Sequence, residues 1–164
     1  MRILLTVALA FAQALDVTVT TVTHLSGPLA YANPSLNMKG TVTPAPGHRL
    51  EIVVLAVGTT GVDSEAAAFV LLDANGAAYL PIGVGGGANL IFPIDRLPIG
   101  QEVGQILPSD AIVALMKSSA GGVSLEVGPK GAVAFLFEVP SRAVVTSLRL
   151  PDGTRVSVTE NVKR

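Results

Sequence analysis

The run that most constrains the fold lies near the C-terminal end of the chain. Four apolar residues occupy alternate positions in GAVAFLFEVP, residues 131–140, and Pro140 ends the run. A period of two is the pattern of a β-strand, whose successive side chains point to opposite faces of a sheet. Proline has no N–H to donate, so it cannot continue the ladder. We therefore expect Phe135 and Phe137 to point into a core and Glu138 to lie on the opposite face.

The same period of two recurs along the chain. DVTVTTVT at 16–23 predicts a half-exposed strand, and the more continuously apolar LEIVVLAV at 50–57 predicts a buried one. Asn-Gly at 75–76 and Asp-Gly at 152–153 each favour a tight hairpin. Seven to nine short strands separated by glycine and proline predict an all-β fold. They favour a two-sheet antiparallel sandwich over an α/β fold or a small closed barrel.

Two segments break this pattern. PIGVGGGANLIFPIDRLPIGQEVGQILP at 81–108 has no clean period and predicts long loops with short edge strands. SDAIVALMKSSAGG at 109–122 begins with residues that cap free helical N–H groups, and it ends with a lysine and two glycines that suit a helix C-terminus. This second segment predicts one short helix near 109–118.

The first fourteen residues, MRILLTVALAFAQA, have the pattern of a secretory signal. One positive charge precedes an apolar run that closes with Ala-Gln-Ala, which predicts cleavage before Leu15. The run is about half the ~20 residues that a membrane-spanning helix needs. A retained anchor and an ordinary first element of a cytosolic protein are the alternatives. We predict a signal peptide at 1–14, a single domain at 15–164, and an exported protein (periplasmic, cell-surface or extracellular) with no membrane span after cleavage.

Composition argues against several classes of function. The 11 lysines and arginines are scattered and form no basic stripe, which disfavours nucleic-acid binding. The chain has no cysteine, so disulfides, thiolate zinc sites and blue-copper sites are excluded. Charged residues make up only 14%, against roughly 25% in ordinary globular domains. This low charge suggests that another chain covers some apolar surface.

No motif predicts catalysis or a cofactor. His24 and His48, with Met38 between them, raise the possibility of copper, but their spacing matches no ligand pattern. DANG at 73–76 lacks the glutamate that a calcium loop needs at its twelfth position, so it predicts a hairpin turn. GVGGGAN at 83–89 opens no helix and predicts a loop rather than a phosphate site. A Gly-x-Ser-x-Gly elbow is absent. We predict a protein that is not an enzyme, with no catalytic, cofactor-binding or metal residues.

Two segments together resemble a known family. EIVVLAVGTTGVDSEAAAFVLLDANGAAYLP at 51–81 joins a buried strand to an Asp-x-x-Gly-x-x-Tyr hairpin. GPKGAVAFLFEVPSRAVVTSLRL at 128–150 joins a Gly-x-x-Gly turn to a strand that ends Phe-Glu-Val-Pro. This order resembles the immunoglobulin-like (telokin-like) domain of exported bacterial proteins. The resemblance implies an immunoglobulin-like two-sheet sandwich and export, and it implies no catalytic residue.

These observations predict an exported, non-catalytic binding or scaffold module of the cell envelope that acts through a protein partner or self-association. The alternatives are a small-ligand or metal-ion carrier of the periplasm, and a surface-layer or pilus/secretion accessory subunit. The candidate partner surface lies in ANLIFPIDRLPI at 88–99, where strand periodicity is weak, and consists of Leu90, Ile91, Phe92 and Ile94. The other interpretation is that this segment packs across an open end of the sandwich.

Overall fold

The computed structural model builds the chain almost entirely from antiparallel β-strands. It describes residues 14–33, 37–86, 91–100, 102–106 and 112–159, with the backbone alone for 102–106 and 112–115. Within these ranges it has fifteen strands and two single-turn 3-10 helices, Ala66–Ala68 and Ile94–Arg96. The all-β prediction is therefore confirmed. Apart from Ala14, the predicted signal peptide at 1–14 lies outside the described residues.

The strands, in chain order, are β1 (Val17–Leu25), β2 (Leu29–Asn33), β3 (Met38–Val42), β4 (His48–Val57), β5 (Val62–Glu65), β6 (Val70–Asp73), β7 (Ala78–Tyr79), β8 (Gly83–Gly85), β9 (Ile91–Pro93), β10 (Glu102–Ile106), β11 (Ile112–Ser119), β12 (Gly122–Val127), β13 (Ala132–Pro140), β14 (Val145–Arg149) and β15 (Arg155–Ser157).

These strands form one large sheet and three smaller ones. The large sheet has five strands in the order β1-β4-β13-β8-β9. Two four-stranded sheets follow the orders β10-β11-β12-β5 and β15-β14-β6-β7, and β2 pairs with β3 alone. The buried β4 and β13 lie at the centre of the large sheet. β1 is half-exposed, as its alternating pattern predicts, and it lies at the edge of the sheet.

One face of the large sheet, here called the inner face, shares a hydrophobic core with both four-stranded sheets. Phe135 and Phe137 of β13 are fully buried in this core, which confirms their predicted direction. The ring of Phe135 stacks on that of Phe69, with centroids 4.5 Å apart. Burying each phenylalanine contributes on the order of 1.5–3 kcal/mol. The inner face is therefore the main source of stability.

The opposite, outer face of the large sheet holds a smaller apolar cluster. Leu136 and Ala134 of β13 lie in it, with Leu50, Ile52 and Ile91. Leu29 and Val42 of the β2–β3 hairpin pack against it. β13 is therefore buried on both faces, which explains why its sequence is continuously apolar between Ala132 and Phe137.

The predicted helix near 109–118 is wrong. Residues 112–119 form β11, which pairs with both β10 and β12. Gly122 has a φ of 134°, a conformation that glycine adopts readily and that reverses the chain into β12. Met116 and Ser118 are buried while Lys117 is exposed, which is a period of two. Pairing with a strand on each side thus outweighs the residues that favour helix ends. The predicted N-terminal cap of the helix falls in 107–111, outside the described residues.

The glycine-rich stretch at 83–89 contains a strand where a loop was expected. Gly83–Gly85 form β8, between β13 and β9. A Cβ on Gly83 would lie 3.0 Å from both Ile91 Cγ2 and Leu136 Cβ. Glycine therefore serves close packing within a sheet here, not a flexible loop. Residues 87–90 lie outside the described residues.

Both predicted hairpins are confirmed. β6 and β7 pair across the turn that contains Gly76, which has a φ of 81°. β14 and β15 pair across the turn that contains Gly153, with a φ of 86°. A positive φ is strained for residues with a side chain, so the glycine in each dipeptide is what permits the turn.

Candidate functional site: a cleft on the outer face

A cleft of about 540 Å³ opens beside the outer-face cluster. This volume falls within the range of roughly 300–1,000 Å³ that is usual for ligand sites. Four segments of the chain line the cleft: Thr41–Thr43 at the end of β3, Pro81 and Ile82 before β8, Pro93–Arg96 at the end of β9, and Glu138 of β13.

Glu138 reaches the cleft because β13 alternates its side chains. It follows Ala134 and Leu136 on the outer face, as its predicted position requires, and it lies opposite Leu50 in the register with β4. The Ala45 N–H donates to Glu138 Oε1 over 2.6 Å. That bond ties the segment after β3 to the sheet. No hydrogen bond from the described residues reaches Glu138 Oε2.

Two prolines shape the apolar part of the cleft. Pro81 lies two residues before β8, and Pro93 is the last residue of β9. An isoleucine follows each proline: the Ile82 N–H donates to the Leu136 carbonyl over 2.7 Å, and the Ile94 N–H donates to the Ile82 carbonyl over 2.9 Å. The ladder thus continues past the strands and holds the isoleucines in place.

The charged residues of the cleft sum to −1, since Glu138 and Asp95 each carry −1 and Arg96 carries +1. Asp95 and Arg96 are 80% and 64% exposed, and their charged groups are 3.9 Å apart. Exposed pairs of this kind contribute little, about 0–1 kcal/mol. The half-buried carboxylate of Glu138 is therefore the main electrostatic feature of the cleft.

A second polar cluster lies on the inner face, but its groups bind one another. Glu51 is fully buried and accepts hydrogen bonds from Arg49 Nε, over 2.5 Å, and from His24 Nδ1. The same guanidinium donates to the carbonyls of Ser141 and Ala143, between β13 and β14. A buried carboxylate that is paired in this way is typical of a structural role.

The Asp-x-x-Gly-x-x-Tyr hairpin also has a structural explanation. Asp73 Oδ1 accepts the N–H groups of Asn75 and Ala77, each over 2.9 Å, and Oδ2 accepts the Tyr79 hydroxyl over 2.9 Å. Burial alone would raise the pKa of Asp73, but the hydrogen bonds from Ala77, Tyr79, Asn75 and Gly76 lower it overall. Burial, followed by the bond to Asp73, raises the pKa of Tyr79. The motif locks a turn, in agreement with the hairpin prediction.

The histidines do not gather into a metal site. His24 contacts Glu51, whereas His48 Nδ1 lies 3.2 Å from the Pro46 carbonyl. In the described part of the chain, no group of three or more His, Cys, Asp or Glu side chains is arranged to hold a metal ion.

The predicted partner surface divides among three environments. Ile91 and Phe92 are only 3% and 4% exposed, so in this fold they present little surface to a partner, and their part in a partner surface stays a prediction. They become core residues because 91–93 form β9 at the edge of the large sheet. Ile94 is half-buried and lines the cleft, while Leu90 lies outside the described residues.

Sequence reasoning missed most of the cleft. Thr41 of β3, Thr43 just after it, and Arg96 belong to segments that are far apart in sequence, and no local pattern joins them. Two features of the sequence could have indicated the cleft: the prolines beside short apolar runs, and the outward position of Glu138.

Comparison with known proteins gives one partial similarity. The chain is 39% identical over 70 residues to the minor capsid protein L2 of bovine papillomavirus type 3. The match covers 37% of this chain and 14% of the viral protein. No family model and no solved structure matches the chain. Among the described residues, none of the helices is long and apolar enough to cross a membrane.

Proposed function

We propose that this chain is an exported, non-catalytic binding module of a bacterial cell envelope, built on an immunoglobulin-like two-sheet sandwich. Its ligand is an extended segment of a partner protein that presents one basic side chain to Glu138. The observation that carries this proposal is the outer-face cleft, in which a half-buried carboxylate lies beside isoleucine, valine and proline.

Several features support the proposed scaffold. Antiparallel sheets share one core, as two packed sheets do. A hairpin at Asp73–Tyr79 and a strand that ends at Pro140 are consistent with the resemblance to the immunoglobulin-like family. Support for export comes from the apolar N-terminal run and its Ala-Gln-Ala ending.

The chemistry of the cleft supports this choice of ligand. Apolar groups such as Ile82, Ile94 and Pro93 favour aliphatic side chains. The Glu138 Oε2 atom favours a cation that can donate a hydrogen bond. Charge-assisted hydrogen bonds contribute about 1.5–3 kcal/mol. An extended segment places alternate side chains on one face, so it can present one basic residue between apolar contacts.

Selection from a displayed library of random ten-residue peptides tests this function. We expect enriched peptides to carry one lysine or arginine among apolar residues. Glu138→Gln should weaken their binding by about tenfold or more, which is the loss of about 1.4 kcal/mol. Glu126→Gln is the matched control, since Glu126 is an exposed carboxylate of β12 outside the cleft. Failure to enrich peptides, or equal affinity of the Glu138 variant, would contradict the proposal.

A structural subunit of an ordered array is the second candidate. It is favoured by the partial similarity to a protein whose name places it in a virus capsid. Light scattering behind size exclusion, over a range of concentrations, separates the two candidates. Assemblies that grow with concentration would favour the array subunit, whereas a strict monomer would favour the binding module.

A further inference from the structure

Leu15 is held in the fold by both its side chain and its backbone. Its side chain packs against the main core, whereas Ala14 is exposed. The Leu15 N–H donates to Asp152 Oδ2 over 2.9 Å. One residue later, the Asp16 carbonyl accepts the Gly58 N–H over 2.8 Å. The bond between residues 14 and 15 therefore joins an exposed residue to one that packs in the fold.

Asp152 is held in position to receive this amide. Its Oδ1 atom accepts the Thr154 N–H over 2.9 Å and the Thr154 hydroxyl over 2.7 Å, which directs Oδ2 toward Leu15. The Leu15 N–H, followed by the two donors of Thr154, holds the pKa of Asp152 below its ordinary value. The carboxylate is therefore charged at neutral pH. A single neutral amide uses little of its capacity to bind a cation.

We propose that the Ala14–Leu15 peptide bond is a processing site and that the Leu15 α-ammonium released there forms an ion pair with Asp152. Hydrolysis breaks the C–N bond. Water supplies a hydroxyl to the Ala14 carbonyl carbon and a proton to the Leu15 nitrogen, which gains a further proton from solvent. The neutral hydrogen bond becomes a charge-assisted one. This inference rests on the proposed export and extends it, because the fold itself then binds the product of the peptidase.

Other charged residues lie on the segments next to Leu15 and Asp152. Asp16 is adjacent, but its carboxylate accepts the Thr59 N–H over 3.1 Å. The backbone N–H of Lys130 donates to the Gly58 carbonyl. Arg149 and Arg155 lie on β14 and β15, the strands that flank Asp152. Among the described residues, the Leu15 N–H donates to Asp152 and to no other carboxylate, so Asp152 is the carboxylate to test.

The test compares two forms of the chain at 15–164, which retains every described residue except Ala14. One form has a free α-amine, and the other is acetylated at Leu15. An α-amine ordinarily titrates near pH 7.7–8.0, and an ion pair raises that pKa in the folded state. The added stability is thus present below the unfolded pKa and lost as pH rises through the folded one. We expect the free amine to raise Tm by about 1–3 °C at pH 6.5 and by nothing above about pH 10.

Variants of the two aspartates identify the partner. Asp152→Asn should abolish the difference between the free and acetylated forms, whereas Asp16→Asn should preserve it. A difference that persists in Asp152→Asn, or no difference in the parent chain, would overturn the ion pair. The mass of the protein recovered from an exporting host tests processing separately. A chain that starts at Leu15 supports cleavage there, and any other N-terminus overturns it whatever the stability data show.

Discussion

Two glutamates lie at neighbouring positions on opposite faces of the large sheet. Glu51 of β4 pairs with Phe137 in the register, and Glu138 of β13 pairs with Leu50. Glu51 points to the inner face, is fully buried and is bound by Arg49 and His24. Glu138 points to the outer face, is half-buried and accepts one backbone N–H from Ala45.

The two carboxylates differ in how much of their hydrogen-bonding capacity the described residues of the fold use: both oxygens of Glu51 are bonded, whereas only one oxygen of Glu138 is. A fully buried carboxylate must be paired or it destabilises the fold, so Glu51 has no capacity left for a ligand. A carboxylate at the edge of a cleft pays a smaller desolvation cost and can keep one oxygen available. The comparison predicts that inner-face changes affect folding, whereas changes at Glu138 affect binding.

The largest expected effect is on the inner face. Phe135→Ala removes a fully buried ring that stacks on Phe69 and should lower the free energy of unfolding by roughly 3–5 kcal/mol. Leu136→Ala, on the outer face of the same strand, is the matched comparison and should cost less. Urea denaturation measures both. Equal unfolding midpoints for Phe135→Ala and the parent would contradict the placement of the ring.

Removing the charge of Glu51 on the inner face should lower the free energy of unfolding nearly as much as Phe135→Ala does. Glu51→Gln leaves the partly buried Arg49 without its counter-charge, and we expect a loss of roughly 3 kcal/mol. The double variant Glu51→Gln with Arg49→Met removes both charges and should recover part of that loss. If the double variant is less stable than the sum of the single variants predicts, the ion pair is not the reason for the burial of Glu51.

A substitution that disturbs close packing on the outer face should have the next largest effect on stability. Gly83→Ala places a methyl group 3.0 Å from Ile91 and Leu136, within β8. Overpacking of this kind costs about 1–3 kcal/mol. Gly27→Ala is a control, because a Cβ there meets no atom within 4 Å. Thermal unfolding of the two variants should differ, and a Gly83 variant as stable as the control would contradict the packing of β8.

Asp73 resembles Glu51, because its bonding capacity is also used within the fold. Its folded-state pKa is lowered, since its hydrogen bonds outweigh burial. The stabilisation is therefore present above the unfolded pKa of about 4 and lost as pH falls through the lower folded value. Asp73→Asn should reduce the loss of Tm between pH 5 and pH 3. An unchanged acid profile would contradict this contribution.

Glu138 should have the smallest effect on stability. Glu138→Gln keeps a carbonyl oxygen to accept the Ala45 N–H, and we expect a change within about 0.5 kcal/mol. Peptide affinity should nevertheless fall. A large loss of stability in this variant, measured by urea denaturation, would place Glu138 with Glu51 as a structural residue and break the comparison.

Local sequence was sufficient where one strand or turn decides the structure. The period of two in β13, the apolar run of β4 and the two glycine turns all appear as predicted, because alternation and positive φ are properties of adjacent residues. The outward direction of Glu138 follows from the same alternation.

Tertiary pairing decided the rest. The segment at 109–122 carries the end signals of a helix, but pairing with β10 and β12 makes residues 112–119 a strand. The glycine-rich sequence at 83–85 predicts a loop, but close packing of Gly83 against Ile91 and Leu136 places it in a strand. The cleft joins residues as distant in sequence as Thr41 and Glu138, and the hydrogen bond from Leu15 to Asp152 joins residues 137 positions apart. Such contacts depend on which strands become neighbours, and period and propensity within a segment carry no information about that choice.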